Sequence, residues 1–313
     1  MSASTAAQLW LDRRSLHHSA FPPERIRRER TGSISVCVPA RETARTIGPI
    51  VRTLVALREQ QVIDQVLVVD ASSQDGTAEI AAREGAEVHQ EAALMPSFGP
   101  VLGKGDAMWR ALSVLSGDVV CFLDGDSLDL GPHFATGLAG AVACEPGVRF
   151  AKAFYRRPFR VGDTVMPEGG GRVNELTARP LVNLFYPELA GVRQLLSGEI
   201  AAERQLLERL PFATGYAVEI AMLIDAYREV GLDAMAQVDL EVRQNEHQPL
   251  SDLTTMAYSV LLAVAARVQR EGRLPEFDAP GLFVPGNSGL EPRSVELIER
   301  PPLATLPAAG DRA

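Results

Sequence analysis

The chain has 313 residues, enough for one large domain or two small ones. Hydrophobic residues make up 46% of it and charged residues 23%, as in an ordinary globular protein. The formal net charge of −9 argues against a general nucleic-acid-binding protein. Three cysteines, Cys37, Cys121 and Cys144, are too few for a disulfide framework or a zinc site, so buried free thiols are expected. Apolar runs stay below the ~20 residues of a membrane span, and the N-terminus has no secretion-signal core. We therefore expect a cytoplasmic protein without nucleic-acid or membrane partners.

The first half of the chain alternates between strand-like and helix-like segments. Residues 1–30 are expected to be an N-terminal lead-in, with the charged stretch Glu24 to Arg30 in solvent. Residues 31–150 then follow a strand–helix alternation. The predicted strands cover 33–39, 65–70, 86–90 and 117–124, and the predicted helices cover 43–59, with Thr43 as its cap, 76–84 and 105–115, with a loop at 91–103. Such a pattern predicts an α/β fold with a largely parallel sheet that is covered on both faces.

After about residue 150 the pattern loosens. We expect residues 151–272 to form a second half of the same catalytic domain, and the Pro- and Gly-rich tail 273–313 to be a strap or partly disordered. In this second half the predicted elements are a strand in AKAFYRRPF that ends in a basic turn, a Gly-rich loop before a helix in MPEGGGRVNELTARPLVNLF, a helix at 215–231, a strand near 234–243 and a helix at 251–270.

Two aspartates follow the fourth predicted strand. Ligands of parallel α/β sheets bind beyond the carboxyl ends of the strands, where Pro39–Arg41, Asp70–Ser73 and Asp124–Asp126 would lie. Asp124 and Asp126 can share a hard cation such as Mg²⁺ or Mn²⁺, and that cation can neutralise a diphosphate leaving group. Gly125 between them would let a phosphate approach the backbone. The alternative interpretation is a solvated Asp-Gly turn.

Two glycine-rich segments suggest further phosphate contacts. Lys104, between two glycines at the start of a predicted helix, can meet a phosphate, although the spacing is not that of a Walker loop. The segment EGGGRVNELTARP places Arg172 and Asn174 beside three glycines, which suits a phosphorylated or carboxylated small acid. A loop-to-helix junction and an interdomain linker are the respective alternatives.

A few other polar residues are weaker candidates. Glu219 in a predicted apolar helix could face a ligand, and Asp225 in the same helix could equally be a surface residue. The Tyr155–Arg157 turn and Arg243 add cations near the predicted binding edge. His247, the only histidine of the C-terminal half, is typical of a surface or hydrogen-bonded residue rather than a ligand.

Taken together, these motifs resemble a known family. The strand ending in Pro-Ala, VVDASSQDGT, GKGDAMWRAL and CFLDGDS are similar to nucleotide-sugar glycosyltransferases of the A-type fold. KAFYRRPF, GGGRVNELTARPL, LLSGEIAA, LPFATGYAVEIAMLIDAY and LDAMAQVDLEVRQNEHQPL resemble the actinobacterial glucosyl-3-phosphoglycerate synthases and the related mannosyl-3-phosphoglycerate synthase. The resemblance covers roughly residues 30–255.

The resemblance implies retaining transfer of a hexose from a nucleotide diphosphate sugar to the 2-hydroxyl of 3-phosphoglycerate, by a homodimer. The nucleotide sugar would occupy residues 31–150 and the acceptor residues 151–272. The implied roles are as follows: Pro39, Ala40, Glu42, Asp70 and Ser72 at the base and ribose; Lys104, Asp124 and Gly125 at the donor; Gly171, Arg172, Asn174 and Arg243 at the acceptor; Leu196 below the anomeric carbon; Glu219 at the hexose hydroxyls; and Asp126 and Asn245, with Asp124 and His247 as further candidates, at the metal.

The chain also departs from the glucosyl members of this family. They usually carry Asn-Glu where this chain has Arg41-Glu42, Ser where it has Gly125, and a metal-binding His where it has Asn245. The acceptor-loop Thr of those members is Asn174 here. Because base and metal positions change together, the resemblance favours the mannosyl enzyme with GDP-mannose over the glucosyl enzyme with UDP- or GDP-glucose.

Retention without an obvious nucleophile predicts front-face attack, in which the acceptor hydroxyl attacks from the side on which the diphosphate leaves. The alternative is a covalent intermediate on Glu199 or Glu219. Two other functions remain open. A sugar nucleotidyltransferase would want a Gly-rich loop after the first strand, where this chain reads PARETARTI. A non-catalytic nucleotide-binding module would leave the GGGR and SGE segments without a purpose.

Overall fold

A computed structural model of the chain describes residues 3–161, 164–166, 170–243, 250–275, 282–286 and 289–307. The predicted metal ligands Asn245 and His247 lie outside these described residues. The helices are α1 Ala3–Arg14, α2 Pro23–Glu29, α3 Ala44–Glu59, α4 Thr77–Arg83, α5 Lys104–Ala111, α6 Pro132–Cys144, α7 Arg179–Phe185, α8 Arg204–Arg209, α9 Val218–Val230 and α10 Leu250–Arg270. The strands are β1 Ser15–His17, β2 Ile34–Ala40, β3 Gln65–Asp70, β4 Glu87–Gln90, β5 Val119–Phe122, β6 Phe150–Arg156, β7 Phe159–Val161, β8 Thr164–Met166, β9 Ile200–Glu203, β10 Phe212–Ala213, β11 Met235–Val242, β12 Leu282–Gly286, β13 Gly289–Arg293 and β14 Glu299–Arg300.

Eight strands form the central sheet, in the order β1-β11-β6-β9-β5-β2-β3-β4. Strand β9 runs antiparallel to its neighbours β5 and β6, and the other pairs of this sheet are parallel. The predicted α/β class with a largely parallel sheet and a mixed second half is therefore confirmed. Among the described helices, none combines the length and the apolar character needed to cross a membrane.

The sheet separates two apolar clusters. Val36 and Val38 of β2 belong to one cluster and Cys37 between them to the other, because successive side chains of a strand point to opposite faces. Both clusters contain residues from either half of the chain. Cys37 and Cys121 are buried and Cys144 is half-buried, and all three are free thiols, as expected.

The prediction for residues 1–30 is wrong in part. Strand β1 pairs with β11 at the edge of the sheet, and Trp10 of α1 donates a hydrogen bond to the Met235 carbonyl (2.8 Å). The charged stretch Glu24 to Arg30 is mostly helix, with Ile26 fully buried. Its charges occupy the outer side of α2, so one apolar residue is enough to anchor it.

Two smaller expectations also need correction. Thr43 occupies the N-cap position of α3, but its side chain does not cap. Asp75 accepts the Ala44 N–H instead (2.9 Å). Asp225, for which a surface position was open, is buried against Arg267 of α10, whose Nε lies 2.9 Å from Asp225 Oδ1.

The described end of the tail is a strap, as the sequence allowed. Strand β14 pairs antiparallel with β10, and Trp109 of α5 donates a hydrogen bond to the Pro301 carbonyl (2.8 Å). The other described tail strands, β12 and β13, pair with each other.

Strands β2, β3 and β5 end at the same edge of the sheet. Ala40 lies opposite Asp70, and the Leu123 N–H donates to the Cys37 carbonyl (3.0 Å), which directs Asp124 towards the end of β2. The three polar segments that the sequence places beyond these strands therefore meet at one edge.

Candidate active site

A cavity of about 840 Å³ opens at this edge. Its walls come from the ends of β2 and β5, the start of α5, and segments around residues 171–174, 196–198 and 215–219. Twelve predicted site residues line it: Pro39, Ala40, Lys104, Asp124, Gly125, Asp126, Gly171, Arg172, Asn174, Leu196, Glu219 and Arg243. Residues far apart in the sequence thus share one cavity, large enough for a nucleotide sugar and a small acid.

Three predicted donor residues do not line this cavity. Glu42, Asp70 and Ser72 lie behind its wall, where they build the turn after β3. The Glu42 carboxylate accepts the Gln74 N–H (2.9 Å), and Asp70 accepts the Ser73 N–H (3.0 Å). In the structure these side chains shape the loop. Their direct contact with the base and ribose of the donor stays a prediction.

The paired aspartates are held by cations. Lys104 Nζ lies 2.5 Å from Asp124 Oδ1 and 2.9 Å from Glu219 Oε1, so it bridges two elements of the cavity wall. Arg243 contacts both aspartates, with Nη2 2.9 Å from Asp124 Oδ2 and 3.0 Å from Asp126 Oδ1. Asp124 is therefore occupied on both oxygens, whereas the side chain of Asp126 is 65% exposed.

These contacts set the ionisation of Asp124 and Lys104. Burial by itself would raise the pKa of Asp124, but Lys104 and Arg243 hold that pKa well below its usual range. Burial opposes the charge of Lys104, yet the Asp124 and Glu219 carboxylates raise the pKa of its ammonium above the ordinary value. The centre of the cavity is therefore a fixed lattice of opposite charges, pre-arranged for an ionic ligand.

Glu199 lies behind this lattice. It is fully buried, with Oε1 2.6 Å from Arg243 Nη1 and Oε2 accepting the Tyr155 hydroxyl (2.8 Å). Burial raises its pKa, with Arg243 opposing the effect. Among the described residues, Oε1 is engaged only by the ion pair with Arg243, but Glu199 does not line the cavity, so its position does not suit a nucleophile.

Asn174 lines the cavity, but its amide holds the chain. Its Oδ1 accepts the N–H groups of Leu195 (2.8 Å) and Leu196 (3.3 Å). Its Nδ2 donates to Glu175 (2.6 Å). The amide thus positions the loop that carries Leu196. Of the two residues that the Gly-rich segment predicts at the acceptor, Arg172 is the one that brings a charge to the cavity.

Sequence reasoning missed Lys152. Its side chain is 2% exposed, and Nζ donates to the Ser197 carbonyl (2.8 Å), next to Leu196. Burial lowers the pKa of Lys152 to about 8. A signal was present in the composition: of 31 basic residues only Lys104 and Lys152 are lysines, and both lie at this site.

Glycine permits the closest approach inside the cavity. A Cβ atom on Gly198 would collide with Lys104 Nζ and would lie 2.5 and 2.6 Å from the Asp124 carboxylate oxygens. The SGE segment therefore contains glycine because the ion pair of Lys104 and Asp124 packs directly against its backbone.

The carboxylate oxygens of Asp124 and Asp126 suit a hard divalent cation. Oxygen ligands are what Mg²⁺ and Mn²⁺ prefer, and the side chain of Asp126 is largely exposed. Asp124 could also bind the cation only if Lys104 or Arg243 released one of the Asp124 carboxylate oxygens. Within the described residues, Asp126 is therefore the candidate that fits best.

Comparison with known proteins shows which family the chain resembles. Residues 35–135 match the family described as Glycosyl transferase family 2. The chain is 38% identical to the glucosyl-3-phosphoglycerate synthase of Petrotoga mobilis, over 94% of this chain and 94% of that relative. It is 38% identical to the same enzyme of Mycolicibacterium smegmatis, over 95% and 98%.

Two solved structures are similar along nearly the whole chain. The mannosyl-3-phosphoglycerate synthase of Rubrobacter xylanophilus is 49% identical, with a TM-score of 0.86 over 95% of this chain and 98% of that one. A Mycobacterium tuberculosis glucosyl-3-phosphoglycerate synthase in complex with Mn²⁺, UDP-glucose and phosphoglyceric acid is 39% identical, with a TM-score of 0.77 over 90% and 93%. The predicted A-type fold is confirmed, and the chain belongs to the glycosyltransferase family that contains the glucosyl- and mannosyl-3-phosphoglycerate synthases.

Proposed function

We propose that this enzyme transfers mannose from GDP-mannose to the 2-hydroxyl of 3-phospho-D-glycerate with retention of configuration. The main support for the proposal is that one cavity contains two features. One is the pair Asp124 and Asp126, held by Lys104 and Arg243, and the other is the turn Gly171–Arg172. The first suits a diphosphate leaving group and the second a small phosphorylated acid. The mannosyl donor is supported by the 49% identity with the Rubrobacter xylanophilus enzyme.

A divalent cation is part of the proposal. The Mycobacterium tuberculosis relative contains Mn²⁺ beside its nucleotide sugar, which supports a cation here as well. Asp126 would hold it, and a bound cation would stabilise the negative charge that develops on the departing diphosphate.

The chain's own residues position the two substrates. Lys104 starts α5 and can face the donor phosphates once Asp124 is drawn to the cation. Arg172 and Arg157 line the same cavity and offer charge to the acceptor's phosphate and carboxylate. Leu253 and Met256 of α10 supply an apolar part of the cavity wall.

Front-face attack fits the chain better than a covalent intermediate. The buried Glu199 does not line the cavity, and Glu219 is tied to Lys104. Within the described residues, no hydrogen bond engages the Leu196 carbonyl, so that oxygen can face the anomeric centre. The acceptor proton would pass to the departing phosphate, and the protein would contribute positioning and charge.

Transfer of glucose is the second candidate. Relatives such as the Petrotoga mobilis and Mycolicibacterium smegmatis proteins are named glucosyl-3-phosphoglycerate synthases, at 38% identity. The remaining interpretations, a sugar nucleotidyltransferase and a non-catalytic module, belong to other classes than the family to which the chain belongs.

A donor panel tests the proposal. The enzyme is incubated with 3-phosphoglycerate, Mn²⁺ or Mg²⁺, and in turn GDP-mannose, GDP-glucose, UDP-glucose and UDP-mannose, and the product is scored by mass together with the released nucleotide. We expect a hexosyl-phosphoglycerate that forms fastest from GDP-mannose. Faster reaction with UDP-glucose would refute the mannosyl proposal, and release of pyrophosphate would point to a nucleotidyltransferase.

A further inference from the structure

A buried glutamate lies at the end of the cavity away from Asp126. Glu91 directly follows β4, whose last residue, Gln90, lies opposite Asp70 of β3. The side chain of Glu91 lines the cavity beside Ala40, Arg41 and Ala71, although the residue is only 1% exposed. This is the end at which residues after β2 and β3 form the wall, so it is where a nucleobase would lie when the diphosphate reaches the aspartates.

One carboxylate oxygen of Glu91 has unused acceptor capacity. Within the described residues, its Oε1 has no hydrogen-bond partner, and neither has Oδ1 of the neighbouring Asp70. The nearby Asp106 shows the contrast, because Arg300 and Arg110 donate to it at 2.7–3.1 Å. Arg300 and Arg110 are thus directed at Asp106, and the buried Glu91 and Asp70 each keep one carboxylate oxygen without a hydrogen bond from the described residues.

An unpaired buried carboxylate is costly unless it is neutralised or meets a donor. Burial raises the pKa of Glu91 to about 7, an effect that Asp106 reinforces and that Arg110 and Arg41 oppose. Near neutral pH the group can therefore be ionised by a ligand that brings N–H donors to it. A purely structural glutamate at this place would be expected to have a partner in the protein.

The nucleobases differ in what they can offer. Guanine presents N1–H and the 2-amino group side by side, which the two oxygens of one carboxylate can accept together. Uracil has a single N–H between two carbonyl oxygens, and these would face a carboxylate with like charge. A buried acceptor left without its donor discriminates strongly between ligands.

We propose that Glu91 reads the donor's base and selects guanine over uracil. This inference rests on the proposed function only in that the cavity binds a nucleotide diphosphate sugar. It does not depend on which hexose is transferred. Arg41, which lines the cavity and lies within electrostatic range of Glu91, would keep the carboxylate charged when the base is bound.

The test measures nucleotide binding rather than turnover. Titration calorimetry with Mn²⁺ gives the Kd of GDP and UDP for the wild type, for Glu91→Gln, and for Glu87→Gln, an exposed glutamate at the start of the preceding strand β4. We expect the wild type to prefer GDP. In E91Q the preference should fall about 10- to 100-fold, because the amide replaces one acceptor by a donor. E87Q should keep the preference of the wild type.

A modified ligand provides the second arm. Inosine diphosphate lacks the 2-amino group, so the wild type should bind it about tenfold more weakly than GDP, and E91Q should reduce that difference. An unchanged GDP-to-UDP ratio in a folded E91Q, or equal binding of GDP and UDP by the wild type, would overturn the inference. The donor panel can refute the mannosyl proposal independently of this test. If glucose is transferred from GDP-glucose, the mannosyl proposal is lost while Glu91 keeps its role.

Discussion

At the scale of single residues, charge balance organises the site. Asp124 and Glu219 share Lys104, while Asp124, Asp126 and Glu199 share Arg243. Such a network keeps each buried charge paired, which avoids the penalty of an isolated ion. Asp126 is the member that faces the cavity, so its loss should affect chemistry more than folding.

Replacing Asp126 by Ala should lower kcat by at least about 100-fold, because the leaving group loses its main source of charge compensation. D233A, at a surface aspartate whose side chain is 84% exposed, serves as the control and should leave activity unchanged. Steady-state kinetics with saturating Mn²⁺ measure the effect. Activity of D126A close to that of the wild type would refute the role of Asp126.

Gly198→Ala should disrupt the ion pair without adding charge. Its Cβ would press on Lys104 and Asp124, so we expect kcat/KM for the donor to fall more than tenfold, with a smaller change in unfolding free energy. G215A is the control for stability, because a Cβ there has no atom within 4 Å. If G198A kept full kcat/KM, the close packing would have no functional role.

At the scale of elements, the tail holds α5 in place. Arg300 of β14 donates to both oxygens of the fully buried Asp106 (2.8 and 2.7 Å) and to the Phe98 carbonyl (2.7 Å). Lys104 lies at the start of this helix. Strand β14 thus fixes the helix that presents Lys104, for which we propose a role in binding the donor.

Arg300→Met should destabilise the fold by about 3–5 kcal/mol, because Asp106 and two backbone carbonyls would lose buried donors. Arg13→Met is the matched control. Arg13 pairs with Asp233 on the surface, and its loss should cost less than about 1 kcal/mol. Urea unfolding of both variants measures the difference, and equal effects would show that the tail contact is dispensable.

At the scale of the whole molecule, the two apolar clusters bind both halves of the chain to one sheet. The homodimer, the cytoplasmic location and the domain boundaries predicted from the sequence stay predictions. One contribution to the pH dependence of stability in mild alkali comes from Lys152, whose pKa burial lowers, whereas the pKa of the other lysine, Lys104, is raised.

Burial lowers the pKa of Lys152 to about 8 in the folded state, against about 10.4 for an unfolded lysine. Between these values the unfolded chain binds one more proton than the folded one, so stability rises with pH. We expect Lys152 to contribute a rise of roughly 2–4 kcal/mol across this window, which Lys152→Met should lack. Urea unfolding at several pH values gives the difference between the two proteins, and a difference independent of pH would contradict the assignment.

The sequence predicts the first half of the fold well. Strands β2, β3, β4 and β5 and helices α3, α4 and α5 lie where the periodicity places them. Helix α6 was missed because residues 134–143 are all buried, so the helix has no polar face to reveal its period. The antiparallel β9 was also missed, since its pairing partners lie far away in the sequence.

By itself, the sequence determined the alternation of elements, the edge at which ligands bind and twelve of the residues that line the cavity. The alternation and the edge follow from local hydrophobic periodicity and from the rule that parallel strands end at one edge, and the cavity residues follow from polar motifs and the family resemblance. Only the tertiary structure decided that Asn174 supports a loop, that Glu199 is enclosed by Arg243 and Tyr155, and that Lys152 and Glu91 belong to the site. Hydrogen bonding and burial join residues that are distant in the chain, and no local pattern encodes such partners.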